Sequence, residues 1–132
     1  MTHRFRQPSE TGPLVTLEHG AYALTVAPGF GARMVSFRHD GRDLLRPTPS
    51  SVLAKPVLYG FAGFPLMPYS GPLFGPGFTF AGVTYVLDRN VREEPSATHG
   101  DSWIAPFRIL NRSSAALELE MTHEPAAGTY PK

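Results

Sequence analysis

Proline constrains the middle of this chain more than any other residue type does. Seven of the 14 prolines lie within residues 46–77. Proline lacks a backbone N–H and its ring fixes φ, so neither a helix interior nor a central strand accepts so many of them. We therefore expect residues 46–77 to form a long irregular segment. Because this segment is also rich in Phe, Tyr, Leu and Met, we expect it to be packed and to contribute to function.

Short β-prone runs separated by turn residues flank this segment. The sequence predicts antiparallel strand pairs at residues 14–17 and 22–26, 31–37 and 43–45, 78–80 and 84–87, and 107–110 and 116–121. Glycine or Asp-Gly turns join several of these pairs, which is typical of β-hairpins. No segment has the apolar periodicity of an amphipathic helix. The predicted fold class is all-β, with antiparallel sheets arranged as a sandwich.

The amino-acid composition of the chain limits the classes of molecule that it is expected to bind. The 132 residues, of which 42% are hydrophobic, predict a single domain, with residues 1–12 expected to be flexible. A net charge of +1 without a basic stripe argues against a nucleic-acid partner. The chain has no cysteine, which excludes disulfides and thiolate metal sites. Neither a secretory leader nor an apolar membrane span is visible, so we expect no membrane partner and a cytoplasmic location.

Several histidines and glutamates are interpreted as solvent-exposed. Turn positions, strand ends and polar loops predict this for His19, His39, His123, Glu93 and Glu94, and strand alternation predicts it for Glu118 and Glu120. No two histidines have the spacing of a helical zinc site, so no metal is expected.

His99 has different neighbours. Gly100 permits a close backbone approach beside it, and Trp103 offers a flat apolar face. Sugars bind proteins through hydroxyls on polar groups and through C–H faces on aromatic rings. The residues alone make His99 a candidate sugar-binding residue, and a purely structural histidine is the alternative.

Three stretches together resemble the signature of the aldose 1-epimerases, which are galactose mutarotase-like sugar isomerases. Pro68-Tyr69-Ser70 matches the first stretch, and FTFAGVTYVLDRN at residues 78–90 matches Phe-x-Phe-x-Gly-x-x-Tyr-x-Leu-x-x-Asn. His99-Gly100 with Trp103 matches the third. Residues 31–37 resemble an early strand of the family, so the similarity covers most of residues 15–131.

This resemblance implies a galactose mutarotase-like β-supersandwich, of which residues 1–132 would form a single partial domain. It also implies interconversion of the α and β anomers of an aldohexose such as galactose or glucose, by acid/base ring opening without a cofactor. His99 matches a family histidine that hydrogen-bonds the sugar near the reacting centre, a task suited by protonation near neutral pH. We expect His99 to be catalytic and to bind substrate together with Trp103, Tyr69 and Ser70.

The chain also departs from the family pattern. Gly71-Pro72 replaces the family's Asn-Arg, and the resemblance puts the acid histidine and the base glutamate beyond Lys132. We therefore expect a shortened epimerase-like protein whose own activity is in question. Two alternatives stay open, namely a non-catalytic carbohydrate-binding β-domain and an interaction module. For the latter we expect self-association, or pairing with another chain, through an open sheet edge.

Overall fold

The computed structural model describes residues 8–130. Within each of its sheets, strands that are consecutive in the sequence pair antiparallel. One sheet has the order β1 (Val15–His19), β2 (Tyr22–Ala27), β3 (Arg33–His39) and β4 (Arg42–Asp43). Two hairpins follow, β5 (Gly77–Phe80) with β6 (Val83–Val86) and β7 (Arg108–Arg112) with β8 (Leu117–Glu120). The predicted all-β class and its four strand pairs are confirmed, whereas the expectations for residues 1–7 and 131–132 lie outside the described residues.

Turn chemistry explains two of these pairings. Asp40 and Gly41 have φ of 49° and 74° between β3 and β4, and Ala81 and Gly82 have 49° and 77° between β5 and β6. Positive φ at both central residues is the signature of a type I′ turn, whose twist matches that of the strands it joins. Asp40, Gly41 and Gly82 tolerate this conformation easily, so the local sequence favours these turns, whereas Ala81 adopts it without such a preference.

The proline-rich segment contains one helical turn, α1 (Ser50–Ala54). The expectation that no helix forms within residues 46–77 is therefore wrong for these five residues. Pro49 occupies the position before the helix, where no backbone N–H is needed, and Pro56 comes after its end. These two prolines confine the helix to one turn, because the residue before a proline disfavours the helical conformation. No helix of residues 8–130 has the length and hydrophobicity required to cross a membrane.

Two apolar clusters form the core, and the proline-rich segment contributes to both. Phe61 packs with Ala27, Phe30 and Val35, against which α1 places Val52 and Leu53. The second cluster consists of Leu58, Val91, Trp103 and Ile104, with Phe64 and Leu66 beside them. The predicted packing of this segment is thus confirmed, because six of its aromatic or aliphatic side chains lie inside the clusters or against them.

A buried cation lies between these clusters. The side chain of Arg33 on β3 is fully buried. Its two terminal nitrogens each donate a 2.7 Å hydrogen bond, one to the carbonyl oxygen of Leu58 and the other to that of Trp103. The guanidinium carbon lies 4.4 Å from the ring centroid of Phe64, and the rings of Phe30, Phe61 and Trp103 surround it further. Burial lowers the pKa of Arg33 to about 10.

The Arg33 side chain therefore ties three distant parts of the chain together. A guanidinium in an apolar enclosure costs desolvation energy, which carbonyl hydrogen bonds and contacts with aromatic faces offset. Its Nε is buried without a hydrogen-bond partner among the described residues. The two terminal nitrogens nevertheless hold the proline-rich segment and the Trp103 segment against β3.

We expect Arg33→Ala to destabilise the protein severely. The change removes the donors of two buried carbonyls and leaves a large cavity, at a combined cost of at least about 3 kcal/mol in the free energy of unfolding. Urea unfolding followed by the fluorescence of the single tryptophan measures this cost.

The matched control is Arg38→Ala on the same strand. Arg38 forms an exposed ion pair with Asp43, and such pairs contribute about 1 kcal/mol or less. Equal losses in the two variants would show that the buried guanidinium has no special role.

Candidate functional site

Two chain segments far apart in sequence lie side by side and form the candidate site. Met67 and Gly100 form a parallel bridge, and Pro72 and Thr98 form an antiparallel one. The backbone N–H of Leu73 donates to the carbonyl of Ala97 at 2.9 Å. Residues 67–73, which carry Tyr69 and Ser70, are thereby held against residues 97–103, which carry His99 and Trp103.

Gly71 holds His99 through two hydrogen bonds. The backbone N–H of His99 donates to the Gly71 carbonyl at 3.0 Å. In return, the backbone N–H of Gly71 donates to Nδ1 of the imidazole at 2.8 Å. Because Nδ1 accepts a hydrogen bond, the proton of the neutral ring resides on Nε2. The loop backbone therefore fixes both the orientation and the tautomer of His99.

The charge state of His99 differs from the expectation. Burial lowers its pKa below the ordinary value, and the negative charge of Glu94 offsets this only in part. A lowered pKa favours the neutral imidazole near pH 7 rather than the protonated form. The chemistry that this ring offers at neutral pH is therefore hydrogen-bond donation from Nε2–H rather than the acidity of an imidazolium.

Trp103 packs against the ring of His99 instead of offering a face to a ligand. Its side chain is fully buried. The indole Nε1 donates to the carbonyls of Thr98 and Gly100 at 3.0 and 3.1 Å. The His99 ring meets the Trp103 ring edge-on, with 4.9 Å between centroids. The expectation of direct sugar contact therefore does not fit this arrangement, because no surface of the indole is open to solvent.

Tyr69 and Ser70 lie beside His99 in different environments. Tyr69 is half-buried, forms a backbone hydrogen bond with Gly100, and has its pKa raised mainly by burial. Ser70 is exposed and directly precedes the Gly71 that binds the imidazole. Both hydroxyls are thus carried by the segment that orients His99.

The side chain of Asn90 binds the backbone of the same loop on both sides of His99. Its side-chain amide donates to the carbonyls of Thr98 and Gly100 at 2.7 and 2.5 Å, and its Oδ1 accepts the Thr98 N–H at 2.9 Å. One side chain therefore satisfies three backbone groups around His99. The sequence analysis matched Asn90 to a family motif but predicted no role for it.

Glu94 is a functional candidate that the sequence analysis missed. It was expected on a solvated face, yet it is half-buried and accepts a short hydrogen bond from the hydroxyl of Tyr59. Burial, followed by Glu94, raises the pKa of Tyr59 to about 12. Glu94 is also the group whose charge acts on His99. Tyr59 and Glu94 are 35 positions apart in the sequence, so no local pattern predicts their contact.

His123 corrects another expectation, since its side chain is largely buried. Nδ1 lies 2.7 Å from Oδ2 of Asp101, and Nε2 donates to the carbonyl of Tyr130 at 2.9 Å. The imidazole also stacks on the Tyr130 ring with 3.8 Å between centroids. Burial raises the pKa of Asp101, and its hydrogen bond with His123 opposes this. Both ring nitrogens are engaged, so His123 anchors residues 126–130 rather than facing a ligand.

An open cleft of about 440 Å³ adjoins the paired segments. Its lining consists of Pro72, Leu73, Phe74, Gly75, Pro76, Leu87, Arg89, Pro95 and Ser96. His99 lies next to this cleft in the chain without forming part of its wall. Within residues 8–130, no three His, Cys, Asp or Glu side chains gather as a set of metal ligands.

Comparisons with known proteins identify relatives of this chain. Residues 13–132 match the family model described as aldose 1-epimerase. The chain is 31% identical over 117 residues to protein YphB of Escherichia coli (strain K12), which covers 89% of this chain and 38% of that protein.

Solved structures agree on the fold. A crystal structure described as a candidate aldose 1-epimerase from Escherichia coli K12 has a TM-score of 0.77 and 30% identity, covering 86% of this chain and 37% of that one. A galactose mutarotase related enzyme from Lactobacillus acidophilus has a TM-score of 0.61 at 18% identity, covering 85% of this chain and 33% of that one. The chain therefore spans less than half the length of each of these proteins.

The lowered pKa of His99 predicts a loss of stability in mild acid. Between the folded pKa and the unfolded value of 6.5, the unfolded chain binds the proton and the folded chain does not, so stability falls as pH falls through 6.5. The His99→Asn variant removes this titration while tolerating the φ of 60°. We expect urea unfolding between pH 5 and pH 7.5 to show a smaller decrease in the variant, whereas identical profiles would contradict the inference.

Gly100 is expected to resist substitution because of a close backbone approach. A Cβ at this position would lie 2.1 Å from the carbonyl oxygen of Met67, whereas one at Gly41 would meet nothing within 4 Å. Both glycines have positive φ, at 66° and 74°. We expect Gly100→Ala to lower the free energy of unfolding by at least about 1–3 kcal/mol more than Gly41→Ala does. Thermal unfolding of both variants measures the difference, and similar losses would mean that the Met67 contact relaxes freely.

Proposed function

This chain belongs to the aldose 1-epimerase family, and we propose that its His99 segment binds an aldohexose and takes part in the interconversion of the α and β anomers. The observation that carries the proposal is the hydrogen bond from the Gly71 N–H to Nδ1 of His99. It leaves Nε2–H as an oriented donor, and the segment that provides this bond also carries Tyr69 and Ser70. Oxygens of an uncharged sugar are suitable acceptors for such a donor.

The proposed reaction is an acid/base ring opening. The C1 hydroxyl loses a proton, the bond between C1 and the ring oxygen breaks, and the ring oxygen gains a proton. Rotation about the C1–C2 bond and the reverse steps then give the other anomer. A neutral His99 that donates from Nε2–H to the ring oxygen would stabilise the negative charge developing there. Its role is therefore that of a catalytic hydrogen-bond donor.

A non-catalytic carbohydrate-binding domain is the second candidate. The contact between Tyr59 and Glu94 favours it, because the carboxylate whose charge reaches His99 already accepts a hydrogen bond from a phenol. A carboxylate held in this way is poorly suited to remove a proton from a sugar hydroxyl. Such a domain would retain the donor at His99 and bind sugar without turnover.

The ligands, the cellular location and the interactions of the chain are part of the same proposal. Galactose and glucose are the aldohexoses we propose as ligands, and the cytoplasm is the proposed location. Residues 1–132 are proposed to form one partial domain of the family fold. Association through an open sheet edge is the remaining candidate interaction. The two-residue β4 at one side of the first sheet does not favour it there, because a short edge strand offers little backbone for pairing.

Anomer exchange tests the catalytic proposal directly. Polarimetry starting from pure α-glucose or α-galactose should give an equilibration rate above that of buffer, and titration calorimetry should detect binding of the same sugars. We expect His99→Asn to lower the added rate by at least about tenfold, since a positioned group commonly contributes about 10²-fold or more. Asparagine accepts the positive φ of residue 99, so the backbone is retained.

The matched control is His19→Asn at the exposed end of β1, which should leave the rate unchanged. Binding without any added rate would favour the non-catalytic domain instead. A chain that neither binds nor accelerates exchange of either sugar contradicts both candidates.

A further inference from the structure

The rings of Tyr59 and His99 pack on the same two aromatic side chains. The ring centroid of Trp103 lies 5.8 Å from that of Tyr59 and 4.9 Å from that of His99. The ring centroid of Phe64 lies 6.3 Å from that of Tyr59 and 6.5 Å from that of His99. These four rings form one group, here called the ring cluster. Tyr59 therefore belongs to the surroundings of the candidate site, although it lies far from His99 in the sequence.

Glu94 is held beside the ring cluster through both its backbone and its side chain. Its backbone N–H donates to the carbonyl of Val91 at 3.3 Å, and Val91 is buried in the same apolar cluster as Trp103. Its carboxylate accepts a hydrogen bond from the hydroxyl of Tyr59. Burial and then Glu94 itself raise the pKa of Tyr59 to about 12, so the phenol keeps its proton and remains a donor at neutral pH. The position of the carboxylate is thereby fixed.

The carboxylate of Glu94 has acceptor capacity that the chain does not use. An ionised carboxylate offers about four lone-pair sites, and within residues 8–130 only the Tyr59 hydroxyl bonds to this one. No lysine or arginine of the described residues forms an ion pair with it. Its charge acts on the imidazole of His99, and both side chains are half-buried. An acceptor with free lone pairs therefore accompanies the donor at His99 and is partly open to solvent.

We propose that Glu94 binds hydroxyls of the sugar and that Tyr59 positions its carboxylate for this task, an inference that rests on the proposed sugar binding at His99. Neighbouring hydroxyls of a sugar are donors that the two oxygens of one carboxylate can accept together. His99 donates to an oxygen of the ligand while Glu94 accepts from its hydroxyls, so the two side chains supply opposite hydrogen-bonding roles. The expected ligand is an uncharged sugar with free neighbouring hydroxyls, and Glu94 determines which hydroxyls are required.

Titration calorimetry of the full chain with galactose and glucose tests the role of Glu94. We expect Glu94→Gln to weaken the affinity by at least about fivefold, because a hydrogen bond to an ionised acceptor is about twice as strong as one to a neutral acceptor. The matched control is Glu93→Gln, which removes the same charge at the exposed neighbouring residue. It should leave the affinity within about twofold, because solvent and salt screen an exposed charge. Fluorescence of the buried Trp103 reports whether each variant keeps its core.

Monodeoxy analogues of the bound hexose identify the contact itself. For at least one analogue, loss of the hydroxyl should weaken binding to the unchanged chain but have little effect on binding to Glu94→Gln, because the same hydrogen bond is then absent from both. Tyr59→Phe should reduce the same difference, since the carboxylate is no longer held in place. A uniform loss of affinity for all analogues in these variants would mean a merely structural role and would overturn the proposal.

NMR titration of the His99 imidazole separates this inference from the proposed function. Burial lowers the pKa of His99 and the charge of Glu94 opposes this, so Glu94→Gln should move the titration to lower pH, whereas Glu93→Gln should not. An unmoved titration in Glu94→Gln overturns the inference whatever the calorimetry shows. If sugar binds and His99→Asn weakens it while Glu94→Gln does not, the inference fails and the proposed function stands. If the unchanged chain binds neither sugar, both are contradicted.

Discussion

The guanidinium of Arg33 is the interaction on which the other parts of this structure depend. It occupies the space between two apolar clusters, where a long aliphatic residue would pack equally well but would bind nothing. Its hydrogen bonds to Leu58 and Trp103 fasten two irregular segments to a regular strand. Neither segment contains a strand longer than an isolated bridge near these contacts. Directional bonds from one side chain therefore add to the few backbone bonds, such as those of Met34 with Ala62 and Gly63, that join these segments to the strand in place of a full ladder.

The candidate site inherits its geometry from this anchor. Arg33 fixes the backbone of Trp103, the Trp103 ring supports the edge of His99, and Gly71 orients the imidazole from the other side. Asn90 completes the arrangement by donating hydrogen bonds to the backbone carbonyls on either side of His99. Each step is a specific contact rather than general burial, which is how a loop without regular structure holds one side chain in one tautomer. Loops positioned in this manner are common locations for binding residues.

The hairpins could be predicted from the sequence because their causes are local. Asp40, Gly41 and Gly82 favour their turns by their own φ preferences, and strand alternation follows from neighbouring residues. The contact of Glu94 with Tyr59, the burial of His123 against Asp101 and the enclosure of Arg33 join residues far apart in the chain. No periodicity encodes such pairs in a single sequence. His99 could be identified as a candidate because the residues that mark it are close to it in the sequence. The burial of Trp103 depends on residues far away in the chain and could not be predicted in this way.

Electrostatics around His99 favour an uncharged ligand over an anionic one. Burial lowers the pKa of the imidazole, which favours its neutral form, and the nearby charge that acts on it is the negative one of Glu94. Arg33, which binds the Trp103 carbonyl, uses both terminal nitrogens on carbonyl oxygens and has no exposed surface. A phosphate or carboxylate beside His99 would therefore meet the negative charge of Glu94 without help from Arg33. A neutral polyol meets no such penalty and can accept the Nε2–H, so the charges and the hydrogen-bond geometry select the same class of molecule.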